Sequence, residues 1–383
     1  MRTLIISDLH LGTHTKADVL GRPRAREALL AALGTRGSPQ AVDRLVLLGD
    51  VLELRGGPTR DALQAARGFF EELGEALSGR EVLLLAGNHD HAVVAPWLER
   101  HDAPLSLEER FDPAAASYLA ASLDGFLGAE TRLEVAHPGV WLRDDVYAMH
   151  GNYLDRHVTV PSLERLGIGA MARLIGASTE GESTPAEYEA LTAPVYAWIQ
   201  AVAQSGPEGG GLLDGGASAS VRARSALMGG RGRGGGGGAR EGARARVLAA
   251  AFPLVIAGLN RAGLGPLRSD ISGAALRRSS LEAMSQVVDR LGIGARHVIF
   301  GHTHRTGWLP GDDPAEWTTP SGARLHNCGC WVFETYLMTT VDGESPYWPG
   351  HCIVLEDEGP PRLEHLLGDL PPDELADLRG IAV

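Results

Sequence analysis

The sequence is poor in lysine and in cysteine, and each shortage excludes a class of protein. Lys16 is the single lysine, and the formal net charge is −13. This acidic balance argues against nucleic acid as a partner, because phosphate backbones bind to basic surfaces. The three cysteines, Cys328, Cys330 and Cys352, are too few and too clustered for a disulfide framework. They fit a reducing cytoplasm and are interpreted as buried strand residues.

Long apolar runs are also missing. The first run ends at Asp8, which is too early for a secretion signal. The longest run, Val247–Leu259, contains a proline and is shorter than the roughly 20 residues that a membrane span needs. The sequence therefore predicts a cytoplasmic protein without a transmembrane segment.

Strand-like and helix-like stretches alternate over residues 1–152, as in an α/β domain. Apolar residues then recur at helical spacing until residue 295, and strand-like stretches return over 296–383. We therefore predict one discontinuous α/β domain, 1–152 with 296–383, split by a helical insertion at 153–295. A glycine-rich stretch at about 229–239 predicts a mobile loop within that insertion.

Five of the apolar strands end in polar side chains that can bind a metal. In chain order, the strand ends carry Asp8 and His10; Asp50; Asn88, His89 and Asp90; His150; and His302 and His304. Ligand sites gather at the carboxyl ends of strands in open α/β sheets. Each group alone is readily explained as an ion pair or a turn. Five in succession predict a site for a borderline divalent metal such as Mn, Fe or Zn.

The same residues carry a family resemblance. The segments "SDLHLG", "GDVLE", "GNHD", "MHGN" and "GHTH" resemble the five ordered blocks of the calcineurin-like metallophosphoesterases. The later "HNCGCW" is similar to the family's Asn-x-Gly-Ser-Trp strand, with Cys330 in place of serine. The resemblance covers roughly 1–155 and 296–358 and leaves out the insertion. It implies an α/β fold, a metallophosphoesterase β-sandwich flanked by helices, with the insertion as a helical cap.

The resemblance also implies a dinuclear centre of two divalent metal ions, Mn, Fe or Zn. One ion would be held by Asp8, His10, Asp50 and His304, and the other by Asp50, Asn88, His150 and His302. A shared carboxylate suits Asp50, because its two oxygens can bridge neighbouring ions. By the same resemblance His89 faces the substrate and Asp90 holds its ring, while a metal-bound hydroxide attacks phosphorus.

Further residues near these blocks are candidates for substrate contact. They are His14, Asn152, Arg156 and Arg305, and Asp155 and His157 are placed beside them along the cleft. Glu53 is interpreted as a partner of the ligands and not as a ligand itself.

The insertion leaves the substrate open among phosphomonoesters, phosphodiesters and pyrophosphates. Hydrolases of UDP-2,3-diacylglucosamine are similar in the "SDLHLG" opening and in the position of the cap, which there shelters acyl chains. This sequence departs from them in reading "GNHD" for Gly-Asn-Arg-Asp and "HGN" for "HGD". The partner is therefore expected to be a small-molecule or lipid-linked phosphoester, with peripheral membrane contact through the cap in the second case.

Other interpretations of the sequence stay open. The insertion would equally suit a lid or a surface between subunits, and the oligomeric state is not predicted. A catalytically inactive binding scaffold is the alternative of another class, although every expected ligand is present. A nuclease is disfavoured by the acidic balance, and a protein phosphatase would differ only in the shape of its cleft.

Overall fold

The computed structural model describes residues 1–13, 17–177, 181–204, 253–270, 272–338 and 340–375. The strands are β1 (Thr3–Ile6), β2 (Arg44–Leu48), β3 (Glu81–Leu85), β4 (Glu108–Phe111), β5 (Arg132–Arg143), β6 (Val146–Met149), β7 (His297–Phe300), β8 (Thr306–Gly307), β9 (Arg324–Cys328), β10 (His351–Leu355) and β11 (Arg362–His365). The helices are α1 (Pro23–Ala32), α2 (Thr59–Ala76), α3 (Ala95–Leu98), α4 (Pro113–Ala116), α5 (Tyr118–Leu127), α6 (Leu163–Ile175), α7 (Pro185–Gln204), α8 (Gly273–Arg290) and α9 (Pro372–Leu375). Residues 253–261 are helical as well.

The strands form two sheets that share β5. The order is β11-β10-β1-β2-β3-β5 in the first sheet and β5-β6-β7-β9-β8 in the second, with β4 paired to β5. The first half of β5 runs parallel to β3, with Leu85 opposite Ala136. Its second half runs antiparallel to β6, with Gly139 opposite Met149. One long strand therefore turns the chain from the first sheet into the second.

Alternating side chains bury both faces of each sheet. In β1, Ile5 packs with Val46, Ile299 and other residues of both sheets in the layer between them. Its neighbours Leu4 and Ile6 point the other way, into a core shared with α1, α2 and α5. The second sheet packs its outer face against α8. The result is a four-layered α/β/β/α sandwich, which confirms the α/β class predicted from the sequence.

The topology brings the polar strand ends together. Strands β1, β2 and β3 are parallel in the first sheet, and β6, β7 and β9 are parallel in the second. Their carboxyl ends therefore share one edge of the sandwich. The five strands that the sequence predicts before the candidate ligands are all present, as β1, β2, β3, β6 and β7.

Helices α6, α7 and α8 lie between β6 and β7 in the chain, within the predicted insertion. Thr184 and Glu187 form a capping box before α7: the Thr184 N–H donates to the Glu187 carboxylate (3.0 Å), and the Glu187 N–H donates to the Thr184 hydroxyl (3.3 Å). The glycine-rich stretch at 229–239 lies outside the described residues. The domain boundaries and the role of the insertion as a cap stay predictions. Among the helices described, none is long and apolar enough to cross a membrane.

Glu189 of α7 reaches into the α/β sandwich. Its buried carboxylate lies 2.8 Å from His91 Nε2 and 3.2 Å from His137 Nε2, and it accepts a hydrogen bond from the Tyr153 hydroxyl (2.6 Å). Burial raises the pKa of this carboxyl, but the two imidazoles outweigh it and hold the pKa well below its usual value. The Glu189 carboxylate therefore links α7 to the sheets through buried ion pairs.

We expect Glu189→Gln to lower the free energy of unfolding by about 2 kcal/mol at pH 7, because a buried charged acceptor is lost. Since the folded-state pKa is depressed, this stabilisation is present above the usual value of 4.5 and is lost as the pH falls below it. Urea unfolding of variant and wild type should therefore converge at low pH. The exposed Glu282→Gln on α8 is the control. An equal loss of unfolding free energy in that variant would contradict the stabilising role of the buried Glu189 carboxylate.

Candidate metal centre

The strand ends hold an uncommon backbone conformation. Within the described chain, the non-glycine residues with positive φ are Asp8, His10, Asp50, His302 and His304, at angles between 46° and 65°. Side chains rarely adopt this region, and it persists where the surroundings determine the backbone. Here the Asp8 N–H donates to the Gly49 carbonyl (3.1 Å) and the His10 N–H to the Asp50 carbonyl (2.9 Å). The first two loops thus hold each other in place.

Glycines allow the loops to approach the site closely. A Cβ atom on Gly87 would clash with the Asp50 carboxylate and the His150 ring, and one on Gly301 would clash with Ser7 and the Asp8 carboxylate. This close packing explains why glycine precedes Asn88 and His302 in the two motifs.

Asp8, His10 and His304 form the first group of converging side chains. Asp8 Oδ1 lies 3.3 Å from His304 Nε2 and 3.9 Å from His10 Nε2, and those two nitrogens are 3.2 Å apart. The other carboxylate oxygen of Asp8 accepts hydrogen bonds from the Ser7 hydroxyl (2.5 Å) and the His302 N–H (2.9 Å). Asp8 Oδ1 itself is buried and has no hydrogen-bond partner among the described residues.

Asp50, Asn88, His150 and His302 form the second group. Asp50 Oδ2 lies 3.3 Å from His150 Nε2, and the Asn88 amide atom facing it is 3.0 Å from both Asp50 Oδ2 and His302 Nδ1. Asp50 Oδ2 is also 3.7 Å from His10 Nε2 of the first group. Asp50 therefore stands between the two groups, where a shared ligand would lie.

Each of the four imidazoles in these groups uses its second nitrogen for a fixed acceptor. The pairs are His10 Nδ1 with Glu53 Oε2 (3.0 Å), His304 Nδ1 with Glu334 Oε2 (2.9 Å), His302 Nε2 with Asp155 Oδ1 (2.9 Å) and His150 Nδ1 with the Leu48 carbonyl (2.8 Å). Such acceptors fix the tautomer and the orientation of a metal-binding imidazole. All four rings thus present the remaining nitrogen to the interior of the cluster.

The carboxylates raise the proton affinity of these imidazoles. Burial alone lowers the pKa of His10, but the nearby carboxylates of Asp8, Glu53 and Asp50 raise it to about 10. Burial is likewise outweighed at His150, where Asp50 raises the pKa to about 9. The cluster therefore attracts positive charge, and a divalent cation would bind in competition with protons.

The donor set fits divalent cations. Three groups of side chains place one ligand atom each within 4.8 Å of the others: Asp8, His10 and His304; His10, Asp50 and His89; and Asp50, His150 and His302. The partnerless Asp8 Oδ1 is a buried carboxylate oxygen that a cation would satisfy. The Asn88 amide atom that faces Asp50 Oδ2 and His302 Nδ1 is either the oxygen or the nitrogen. The oxygen would face only acceptors there and would need a cation between them. The nitrogen would donate hydrogen bonds to both.

His89 lies beside the cluster, with its ring partnered by Glu53. Its N–H donates to Asp50 Oδ1 (2.7 Å), and its Nδ1 lies 2.8 Å from Glu53 Oε2. The side chain is 27% exposed, so the ring is accessible to solvent. The expected role of Asp90 is therefore wrong in one respect, because Glu53 and not Asp90 holds this ring.

Asp90 instead joins two strand ends through the backbone. Its buried carboxylate accepts hydrogen bonds from the N–H groups of Asp50 (3.3 Å), Val51 (2.7 Å), Leu52 (3.2 Å) and Gly87 (2.7 Å). These amides lie in the turns after β2 and β3, so one carboxylate fixes both turns. Adjacency to His89 in the sequence could not reveal this orientation.

Arg305 and His14 were expected near the substrate. Arg305 forms a bidentate ion pair with Asp312 (2.6 and 3.0 Å), which already neutralises its charge. His14 lies outside the described residues. Their contact with substrate stays a prediction.

Asn152 and Arg156 lie against helix α7. The Asn152 carbonyl accepts a hydrogen bond from the Tyr196 hydroxyl (3.1 Å), and the Arg156 guanidinium lies 5.2 Å from the Tyr188 ring centre. These contacts place both residues at the junction with the insertion, and their contact with substrate also stays a prediction.

Sequence comparison agrees with this cluster of side chains. Residues 1–172 match the family model of the calcineurin-like phosphoesterases. The match includes Asp8, Asp50 and His150 and ends before His302 and His304, which the fold brings to the same cluster. A comparison with curated proteins finds no match. The resemblance of the cap to that of UDP-2,3-diacylglucosamine hydrolases is untested by these findings and stays a prediction.

We expect Asp90→Ala to lower the free energy of unfolding by about 3 kcal/mol or more, because it leaves buried amide donors without an acceptor. Chemical unfolding monitored by circular dichroism measures the loss. The exposed Asp144→Asn is the control and should stay within about 0.5 kcal/mol of wild type. A fully stable Asp90→Ala would show that the turns after β2 and β3 do not depend on this carboxylate.

Proposed function

We propose that this protein is a metal-dependent phosphoesterase with two divalent cations at the edge of the sandwich. Asp8, His10, Asp50 and His304 would hold one cation, and Asp50, Asn88, His150 and His302 the other. The cations, Mn, Fe or Zn by the chemistry of these ligands, would supply Lewis-acid activation of water and neutralise charge on the phosphoryl oxygens.

The orientation of the four imidazoles is the observation that carries this proposal. A cluster of ordinary ion pairs would need no particular ring nitrogen to face inward. Here three carboxylates and one carbonyl occupy the outward-facing nitrogens, as described above. The Asp8 oxygen that accepts no hydrogen bond from the described residues supports the same conclusion, because such a buried carboxylate oxygen is costly unless positive charge lies beside it.

We propose that His89 acts on the substrate and that Glu53 orients it. The ring lies next to the His10 ring, with centres 4.5 Å apart, so it borders the cluster without being enclosed by it. The Glu53 carboxylate also pairs with His10 Nδ1. It would therefore link the orientation of the ligand His10 to the orientation of His89, the proposed general acid. His89 would stabilise the transferring phosphoryl group or protonate the leaving oxygen.

We propose that the insertion shapes access to this site as a cap. Arg55, which follows the Asp50 loop, donates to Glu164 of α6 (2.9 Å) and lies 5.4 Å from the Tyr196 ring centre on α7. The ligand His302 is linked to the same helix, because its partner Asp155 accepts a hydrogen bond from Tyr196 (3.2 Å). These contacts support a cap that borders the cluster on its His302 side.

The test of the proposed function compares Asp50→Ala with His89→Ala. Both variants should lose hydrolysis of p-nitrophenyl phosphate and bis(p-nitrophenyl) phosphate by at least about 100-fold, because each removes a group that acts on the reacting phosphoryl. Only Asp50→Ala should also lose bound metal, measured by mass spectrometry of the dialysed protein. A UDP-linked diacyl lipid in the same panel tests the lipid alternative.

His101→Asn, which changes an imidazole remote from the cluster, is the matched control and should keep metal content and turnover. A fully active Asp50→Ala would contradict the proposed function. Stoichiometric metal without turnover of any ester in the panel would instead favour the binding scaffold.

Glu53→Gln should lower kcat by about 10- to 100-fold while changing metal content little, because a neutral amide is a weaker partner than a carboxylate and orients the His89 ring less firmly. Unchanged kcat at unchanged metal content would rule out the positioning role of Glu53.

A further inference from the structure

A cavity of about 220 Å³ lies beside the metal cluster, between helix α8 and the ends of the second sheet. His302 and Asp155 line it, so the cavity begins at a predicted metal ligand. Most of its wall is apolar, and the main apolar residues are Leu154, Val158, Leu276, Leu281, Phe300 and Trp317. A group attached to a phosphate at the cluster would therefore enter an apolar space.

The charged side chains of the cavity already have partners. Arg277 binds Glu316 (2.9 and 3.0 Å), and Arg305 binds Asp312 (2.6 and 3.0 Å). The Asp155 carboxylate is likewise paired, since its Oδ1 lies 2.9 Å from His302 Nε2. Because these charges are compensated, the cavity offers little to a second phosphate or a carboxylate and favours an uncharged group.

Small polar groups of the wall are satisfied in the same way. The Ser279 hydroxyl lies 3.0 Å from the Thr159 hydroxyl, and Asn327 donates to the Gly301 carbonyl (3.0 Å). The Trp317 indole N–H is the exception, since it is buried with no acceptor among the described residues.

The volume limits the ligand. An apolar cavity of roughly 150 Å³ holds a benzene molecule. A cavity of about 220 Å³ therefore has room for one substituted ring or a short branched chain, and not for a pair of long acyl chains.

We propose that this cavity binds an apolar, ring-sized group of the phosphoester substrate, next to the bond that is hydrolysed. The inference rests on the proposed function for the position of the phosphate. It assigns the substrate class: phosphoesters of a compact, uncharged, apolar alcohol, and not of a diacylated lipid. Residues Leu276 and Leu281 of α8 would then set specificity from within the insertion.

The test measures binding of methyl-, benzyl- and dodecylphosphonate to the full metal-loaded chain by calorimetry, together with hydrolysis of the corresponding phosphate monoesters. Benzylphosphonate should bind at least about tenfold more tightly than methylphosphonate, because the ring leaves water. Dodecylphosphonate should bind no more tightly than benzylphosphonate. Equal affinity for the methyl and benzyl compounds, or a dodecyl compound bound more than about tenfold more tightly than the benzyl one, would overturn the inference.

Variants on α8 test whether the preference for benzylphosphonate arises in the cavity. Leu276→Trp fills the space and should abolish the benzyl preference, whereas the control Gln286→Trp, on the exposed face of the same helix, should keep it. Leu276→Ala enlarges the cavity and should shift the preference from benzyl- to naphthylmethylphosphonate, which tests the cavity even where the Trp variant fails to fold. A benzyl preference that persists in Leu276→Trp would exclude this cavity.

Phosphonates are not hydrolysed, so their binding separates the two proposals. A benzyl preference in binding without hydrolysis of any ester would support the cavity and contradict the phosphoesterase function. Hydrolysis of all three esters with equal kcat/KM, together with equal phosphonate binding, would contradict the cavity alone.

Discussion

The structure depends on the burial of carboxylates at the carboxyl ends of parallel strands. Asp8 and Asp50 are almost fully buried, and a carboxylate in that position must be compensated by hydrogen bonds or positive charge. The imidazoles of both sheets supply that compensation, as the raised pKa of His10 and of His150 indicates. Because the charge is concentrated at one point, the loops that carry it have to be held rigidly.

The rigidity comes from hydrogen bonds that the loop backbones make with one another and with buried carboxylates. Positive φ at the ligand-bearing positions is costly, and local hydrogen bonds between loops maintain it. Asp90 takes part as well, since its one carboxylate binds amides from the turns after β2 and β3. The four layers beneath bury the strands that end in these loops, so the ligand positions follow from the core.

Much of this arrangement could be predicted from the sequence, because a strand end is a local pattern. An apolar run followed by Asp8 and His10 shows where the chain leaves the core and which side chains it presents there. Strand β5 could not be predicted, since Pro138 and charged residues interrupt its apolar pattern and its pairing changes sheet midway.

The partners of the imidazoles were harder to predict. Glu334 lies 30 residues from His304, and no motif in the sequence connects the two. The family resemblance implies that Asp90 holds the ring of His89, but the side chains of these adjacent residues face different partners. The direction of a side chain in a turn depends on which amides are left without acceptors, and only the folded chain determines that.

Helix α7 is linked to the candidate metal cluster through Asp155, the partner of His302. His302 is a predicted ligand, its outer nitrogen is held by Asp155, and Asp155 is in turn held by Tyr196 of α7. His302 and Asp155 also line the apolar cavity beneath α8. In the proposed function, changes on α8 would therefore alter which group lies beside the phosphate without changing any ligand. The position of α7 is constrained, because a shift of this helix that moved Asp155 would leave the His302 ring without the acceptor that orients it. We expect the α8 side of the cavity to tolerate variation more readily than the α7 side, because α8 contributes walls and α7 contributes the hydrogen bond on which a ligand depends.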